Sequence, residues 1–196
     1  MRFYAGCPIK ISGGHAVGTL CLVDREPRSL SPKDRELLQD LAAMAEDEIA
    51  AIQSATIDHL TQMSNRRGFE VLGNHVLATC ARLSLPATLL FFDLDGFKQI
   101  NDQHGHSEGD RALQRFAEAM SLTFRTSDVY ARLGGDEFVV LLSNTSEPEI
   151  HAALERLQHA IDASNANVVP GLHLRFSAGA VTSEAGSEDI LSLIHI

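Results

Sequence analysis

The stretch at 129–142, VYARLGGDEFVVLL, constrains the fold more than any other part of the chain. Two short apolar runs flank Gly134 and Gly135, and a glycine pair between such runs predicts a tight β-hairpin, because glycine reaches positive φ without a steric clash. The turn would carry Asp136 and Glu137 beside backbone that a bulky anion can approach. Adjacent carboxylates in that setting suit a divalent cation that holds a phosphate. An ordinary turn with solvated acids is the alternative.

A second acidic turn lies upstream, in the run LLFFDLDGFK at 89–98. Four apolar residues that lead into Asp93 predict a buried strand whose carboxyl end presents carboxylates, which is where open α/β sheets usually place their ligands. Asp93 is therefore a candidate to share a cation with the hairpin. Asp95 is explained equally well as a polar cap on the helix that follows.

Three motifs in one order resemble the GGDEF family of bacterial diguanylate cyclases. They are GGDEF at 134–138, DLDGFKQIND at 93–102 with HGH at 104–106 and GD at 109–110, and DHLTQMSNRR at 58–67. Three separate motifs make the resemblance specific over roughly residues 58 to 179. It implies an α/β (α+β) fold of the nucleotidyl-cyclase or polymerase-palm type, with a central, mostly antiparallel sheet flanked by helices.

The resemblance also implies a reaction of bacterial second-messenger signalling. Two GTP molecules, one on each of two facing domains, would be joined into cyclic di-GMP with release of pyrophosphate, so a homodimer is expected. Positioning and charge neutralisation dominate such phosphoryl transfer. The catalytic turn would be Gly134, Gly135, Asp136 and Glu137. The ligands of Mg²⁺ or Mn²⁺ would be Asp93, the Leu94 carbonyl, Asp136 and Glu137, with Asp136 also a candidate base.

The same matching assigns contacts to the substrate. Asn101 and Asp110 fall on guanine-reading positions, Lys98 on a phosphate-contacting position and His106 on a further substrate contact. Simpler roles exist for three of them: Asp110 as a helix-surface acid, Lys98 as a solvated lysine, and His106 as a packing or hydrogen-bonding residue of its turn.

A feedback site is implied by RTSD at 125–128, which fits the family's Arg-x-x-Asp inhibitory motif. Arg125 can grip a phosphate or a guanine edge with two parallel hydrogen bonds, and Asp128 can accept hydrogen bonds from guanine. Arg156, on the following predicted helix, would be a second arm of that site. Cyclic di-GMP is thus expected as product and inhibitor.

Residues before the cyclase motifs divide into two parts. The run GTLCLVDREPR at 18–28, after a predicted hairpin with its turn at 12–15, resembles the closing strand of GAF sensor domains. Ser31, Pro32 and Asp34 then start a helix of about 25 residues, which either pairs with its copy in a second chain or packs on its own domain. The predicted parts are a C-terminal GAF fragment at 1–30, a linker helix at 31–57 and a GGDEF domain at 58–196.

Within 58–196 the hydrophobic periodicity predicts the order β-α-α-β-β-α-β after an initial helix, with helices at 97–103, 107–124 and 148–163 and a last strand at 172–180. The family's closing helix has no counterpart after 187–191. The resemblance therefore implies a C-terminally truncated domain in which turnover is weak or absent.

Composition restricts partners and location. A net charge of −10 argues against nucleic acid as a partner, and no apolar run approaches the ~20 residues of a membrane span. The three cysteines lack ligand spacing and are expected to be reduced core thiols of a cytoplasmic protein. The sequence predicts a diguanylate cyclase. A GTP- or cyclic di-GMP-binding regulatory module is the first alternative, and a palm-type enzyme with another substrate is the second.

Overall fold

The computed structural model describes residues 1–11, 14–166, 168–169, 171–183 and 190. The chain separates into two compact units, Met1–Ala55 and Thr56–Ile196. Residues 12 and 13 of the first predicted turn, and residues 191–196, on which the expected truncation depends, lie outside the described residues. Among the residues described, no helix is both long enough and apolar enough to cross a bilayer.

The first unit is a hairpin followed by a helix. Strands β1 (Phe3–Lys10) and β2 (Ala16–Asp24) pair antiparallel, and α1 (Pro32–Thr56) follows. The predicted start of α1 has a clear physical cause, because the amide of Asp34 donates to Ser31 Oγ at 3.2 Å and the amide of Ser31 donates to Asp34 Oδ2 at 2.9 Å. These reciprocal bonds satisfy backbone donors that a helix start leaves unpaired.

The apolar residues of helix α1 are partly buried and partly exposed. Leu38 and Ala42 are buried. An adjacent face remains exposed, and its large apolar residues are Leu37, Leu41, Met44 and Ile52. Such a helix can pack within its own unit and still present apolar side chains to solvent or to a partner.

The second unit is an α/β layer structure. Its elements are α2 (Arg66–Leu83), β3 (Ala87–Leu94), α3 (Phe97–His104), α4 (His106–Thr123), β4 (Val129–Gly134), β5 (Glu137–Ser143), α5 (Glu147–Asn165) and β6 (Phe176–Ser183). The strands lie in the order β4-β5-β3-β6, and each neighbouring pair is antiparallel. The predicted fold class is confirmed, and so is the β-α-α-β-β-α-β order.

The sheet buries a separate core on each face. Alternate residues of a strand point to opposite faces, so Leu90 and Phe92 of β3 join the core formed with α4 and α5, whereas Leu89 and Phe91 pack toward α2. Asp93 continues the second set. Its carboxylate therefore lies on the α2 face, at the end of the sheet where strand β3 terminates.

The last strand begins later than predicted, at Phe176 instead of residue 172. The side chain of Asn165 supplies the reason: its Nδ2 donates to the Leu174 carbonyl and its Oδ1 accepts from the Leu174 amide, both at 2.8 Å. These two bonds use the backbone groups that a neighbouring strand would need. Residues 172–175 consequently stay outside the sheet.

The prediction that all three cysteines lie in the core is wrong. All three are unpaired thiols, as expected, but Cys80 alone is buried while Cys7 is half-buried and Cys21 is exposed on β2. A two-stranded hairpin has too little surface to cover both of its own faces. Apolar neighbours in the sequence therefore did not guarantee burial at Cys21.

Candidate active site at the glycine turn

The turn between β4 and β5 is open on its outer side. Gly134 and Gly135 have φ values of +150° and +54°, in the range that favours glycine. A Cβ added to either residue would meet no other heavy atom within 4 Å. Backbone conformation, rather than packing against the rest of the chain, is therefore what requires glycine here, and the turn leaves its backbone accessible to a bulky ligand.

Two acidic segments that are distant in the sequence meet at this turn. Asp93, near the end of β3, lies directly opposite Glu137, the first residue of β5. Residues paired in this way project to the same face with Cβ atoms about 5 Å apart, and Asp136 precedes Glu137 in the turn. The structure thus brings Asp93 and Glu137 together on the α2 face, and Asp136 lies close enough for its charge to act on Asp93.

The carboxylates at this edge repel one another. Asp93 is exposed, and its pKa is raised, first by partial desolvation of its carboxylate and then by the negative charges of Asp136, Glu137 and Asp95. Asp95 is held toward β6, because Ser177 Oγ donates to its Oδ1 at 2.7 Å and its amide donates to the Arg175 carbonyl at 3.0 Å. The edge has an excess of negative charge that a bound cation would relieve.

These donors fit Mg²⁺ or Mn²⁺ in type, because both ions prefer carboxylate and carbonyl oxygens. Within the part of the chain that the structure describes, no group of three or more His, Cys, Asp or Glu side chains forms a ready metal cage. Mg²⁺ commonly takes one or two carboxylates and completes its shell with water and substrate phosphates. Asp93 and Glu137 suit that mode. The side chain of Leu94 has no ligand atom, so this residue could contribute only its backbone carbonyl.

A cleft of about 530 Å³ opens beside these acids, a size typical of small-molecule sites. Its lining consists of Arg66, Phe91, Phe92, Asp93, Leu133, Glu137, Ser177, Ala178 and Gly179. Arg66 and Ser177 were not predicted as site residues. Ser177 lies opposite Asp93 in β6, which only the strand register reveals. Arg66 stands in the motif at 58–67, so its position was available from the sequence but its role was not.

An ion pair with little solvent exposure clamps the motif at 58–67 onto the hairpin. Arg132 Nη1 lies 3.2 Å from both carboxylate oxygens of Asp58, and Arg132 Nη2 donates to the Gly135 carbonyl at 2.8 Å. Burial raises the pKa of Asp58, but the hydrogen bonds from Thr61 and the charge of Arg132 outweigh it, so the net pKa is lowered. The sequence motif includes Asp58 but gave no sign of this pair.

Comparison with known protein families identifies the family of this chain. The family described as diguanylate cyclase, GGDEF domain, matches residues 55–196, which is most of the chain. The chain belongs to the GGDEF diguanylate cyclase family. The GAF domain family matches residues 1–49.

Individual GGDEF proteins agree with this assignment. Diguanylate cyclase DgcP of Escherichia coli strain K12 is 32% identical over 173 residues, covering 81% of this chain and 50% of DgcP. The coiled coil and GGDEF domain of DgcB from Caulobacter crescentus, solved in complex with c-di-GMP, shares the fold with a TM-score of 0.75 at 21% identity, covering 83% of this chain and 87% of that one. A microbial GGDEF domain described in a novel interaction mode with cyclic di-GMP has a TM-score of 0.61 at 31% identity, covering 71% and 84%.

The chain spans half or less of the length of the curated relatives that it matches. The similarity to DgcP therefore concerns half of that protein, and the activity of a whole relative does not pass to this chain by comparison alone.

The two residues predicted to read guanine lie on neighbouring helices, Asn101 on α3 and Asp110 on α4. Asn101 Oδ1 sits so close to α4 that a Cβ added at Gly109 would come within 2.0 Å of it. The Asn101 side chain therefore lies against Gly109, the residue that precedes Asp110, and would have to move if residue 109 carried a Cβ. Lys98 and His106 are exposed at the starts of α3 and α4. Neither is among the described residues that line the cleft beside Asp93.

The Arg-x-x-Asp residues of the GGDEF domain line a separate, smaller cavity of about 80 Å³. Arg125, Asp128 and Arg156 all contribute to it, so the structure brings the three predicted residues together from two elements. The Arg125 amide donates to Asp128 Oδ2 at 2.9 Å. Glu149, which was not predicted, also lines the cavity, and its Oε1 lies 3.8 Å from Arg125 Nη2.

Proposed function

We propose that this chain carries a diguanylate cyclase, which condenses two GTP molecules into one cyclic di-GMP and two pyrophosphates. One observation carries the proposal: Asp93 and Glu137 face each other across paired strands, beside an open glycine turn and a cleft of nucleotide size. Membership of the GGDEF family supports the reaction class, and the similarity to the diguanylate cyclase DgcP supports the activity.

The chemistry follows from what these residues can hold. Each 3′-hydroxyl attacks the α-phosphate of the nucleotide on the facing domain, and pyrophosphate leaves. Asp93, the Leu94 carbonyl, Asp136 and Glu137 are the proposed oxygen ligands of Mg²⁺ or Mn²⁺, which when bound neutralises charge on the phosphates. Asp136 is also the candidate base for the hydroxyl proton.

Positioning is assigned to neighbouring elements. Asn101 and Asp110 would read guanine from α3 and α4, a proposal supported by the close approach of Asn101 to Gly109. Lys98 and His106 would contact the nucleotide from the exposed starts of the same helices. The glycine turn, held from behind by the pair of Asp58 and Arg132, admits phosphates close to the backbone.

Feedback inhibition is the second part of the proposal. Arg125 and Arg156 would grip the phosphates or guanine edges of cyclic di-GMP, and Asp128 would accept from guanine. Their shared cavity supports this role. Further support comes from the 31% identical microbial GGDEF domain, which is described as interacting with the same molecule.

The organisation that we infer is a C-terminal GAF fragment at 1–30, a linker helix at 31–57 and a GGDEF domain at 58–196, in a cytoplasmic protein. Two facing active sites require two copies of the chain. The exposed apolar face of α1, with Leu41 and Met44 near its middle, is the proposed pairing surface.

The experiment is incubation of the chain with GTP and Mg²⁺, followed by chromatographic and mass-spectrometric detection of cyclic di-GMP. We expect product from the parent and loss of product from Asp136→Ala. Glu118→Gln, which removes an exposed acid on α4 away from the cleft, serves as the matched control and should keep parental activity.

Product formed equally well by Asp136→Ala would overturn the site assignment. A second candidate function is a regulatory module without turnover, which the Arg125 cavity also fits because none of its described lining residues belongs to the catalytic set. Binding of GTP or cyclic di-GMP by a parent that makes no product would select this candidate.

A further inference from the structure

Arg66 lines the cleft but has no role in the proposed reaction. It is the first residue of α2, it is exposed, and it lines the same cleft as Asp93 and Glu137. Among the described residues of that lining, Arg66 is the one with a positive charge. A cation therefore lines the same cleft as Asp93 and Glu137.

The second arginine near the turn is already committed. Arg132 gives Nη1 to the Asp58 carboxylate and both Nε and Nη2 to the Gly135 carbonyl, and 12% of its side chain is exposed. Releasing it toward a ligand would leave the Asp58 carboxylate without its cation. Arg132 is thus a scaffold residue, and it cannot also neutralise a ligand in the cleft.

Arg66 has no comparable partner. Within the described part of the chain, no carboxylate lies within ion-pair distance of its guanidinium, even though the cleft contains two acids. The acids at the glycine turn repel one another and would repel a bare triphosphate. An anion that enters this cleft needs positive charge beyond what one divalent cation supplies, and a free guanidinium offers two parallel N–H donors to phosphate oxygens.

We propose that Arg66 is a substrate-binding residue that contacts the phosphate oxygens of the nucleotide in the cleft beside Asp93 and Glu137. The start of α2 adds to the attraction, because the first amides of a helix carry partial positive charge, and of these the Gly68 amide already donates to Asn65 Oδ1 at 3.0 Å. This inference rests on the proposed function, since it takes a guanine nucleotide as the ligand.

The test measures binding of GTP, GDP and guanosine to the full chain in the presence of Mg²⁺, by calorimetry, for the parent and three variants. Arg66→Ala removes the charge and the donors, and Arg66→Lys restores the charge without the planar fork. Arg67→Ala is the matched control, because Arg67 is the next residue of the same helix turn, is exposed, and is not among the described residues of the cleft lining.

We expect Arg66→Ala to weaken GTP binding by about 10- to 100-fold, the effect of losing charge-assisted hydrogen bonds to phosphate. Arg66→Lys should recover part of that loss, Arg67→Ala should bind as the parent does, and the affinity for guanosine should be the same in all four proteins. GDP should show a loss intermediate between those of GTP and guanosine.

Three outcomes would overturn the role of Arg66 and leave the proposed function standing: GTP affinity unchanged in Arg66→Ala, equal losses in Arg66→Ala and Arg67→Ala, or a loss for guanosine as large as that for GTP. The first means no contact, the second a general charge effect, and the third a structural effect. A parent that binds no GTP would instead overturn the proposed function itself, and the role of Arg66 with it.

Discussion

Asp93 and Asp58 both lie next to the GGDEF hairpin, but they differ in their partners and in the direction in which their pKa values are shifted. Asp58 receives hydrogen bonds from Thr61 and an ion pair from Arg132, and its pKa is lowered. Asp93 receives no such partner among the described residues; partial desolvation and three neighbouring acids raise its pKa.

This difference in pKa distinguishes a carboxylate that stabilises the fold from one that is suited to bind a ligand. Negative charge that the fold satisfies with its own donors contributes to stability. Like charges that the fold collects without a counter-ion cost stability, and they persist in proteins where a bound cation or substrate offsets them. The aspartate without a partner is therefore the better guide to the active site, and the paired one explains what holds the turn in place.

The largest effect should follow from changing Asp93. Asp93→Asn keeps the shape of the side chain but removes a charge that the cation needs, so cyclic di-GMP formation should fall by about 100-fold or more. Because the substitution also removes mutual repulsion, the melting temperature should stay equal to the parental value or rise. Product assays and a thermal melt on the same preparation check both parts. A clear fall in melting temperature would show that Asp93 is structural, and the contrast with Asp58 would fail.

The next effect should follow from Asp58→Ala. Loss of the Thr61 and Arg132 contacts should lower the free energy of unfolding by about 2 kcal/mol, because a guanidinium with little exposure loses its carboxylate partner. A cooperative melt should then shift down by roughly 4–8 °C. Asp102→Ala, at an exposed position on α3, is the control and should shift little. Equal shifts in the two variants would mean that the pair contributes nothing specific.

The smallest effect should appear in the pH dependence of stability, where the two aspartates have opposite signs. The pKa of Asp58 lies below its unfolded value of 3.8, so its stabilisation is present above pH 3.8 and is lost as pH falls through the lowered pKa. The pKa of Asp93 lies above 3.8, so its folded state is favoured below pH 3.8 and loses that advantage as pH rises through the raised pKa.

Denaturant unfolding of the parent, Asp58→Asn and Asp93→Asn between about pH 3 and pH 6 checks these signs. With rising pH, the parent should gain stability relative to Asp58→Asn and lose stability relative to Asp93→Asn. Mg²⁺ should reduce the second difference, because the bound cation screens the repulsion at Asp93. Parallel curves for the two variants would remove the electrostatic basis of the comparison.

Local patterns carried much of the fold. The glycine pair between apolar runs was enough to predict the β4–β5 hairpin, and the motifs at 93–102 and 134–138 were enough to name the acids that meet there. The start of α1 was equally local, since Ser31 and Asp34 exchange hydrogen bonds within one turn. The start of β6 could not be predicted from neighbouring residues, because it depends on hydrogen bonds between the side chain of Asn165 and the backbone of Leu174, which lie on either side of a loop.

By itself, the sequence determined which residues could perform the chemistry, because residue type and turn conformation are properties of a few neighbouring positions. Only the tertiary structure decided which charges are satisfied. Whether an arginine has an ion-pair partner depends on the groups that the fold brings to it from elsewhere in the chain. Arg132 is held by Asp58 and a carbonyl, whereas Arg66 lines the cleft with no carboxylate partner among the residues that the structure describes.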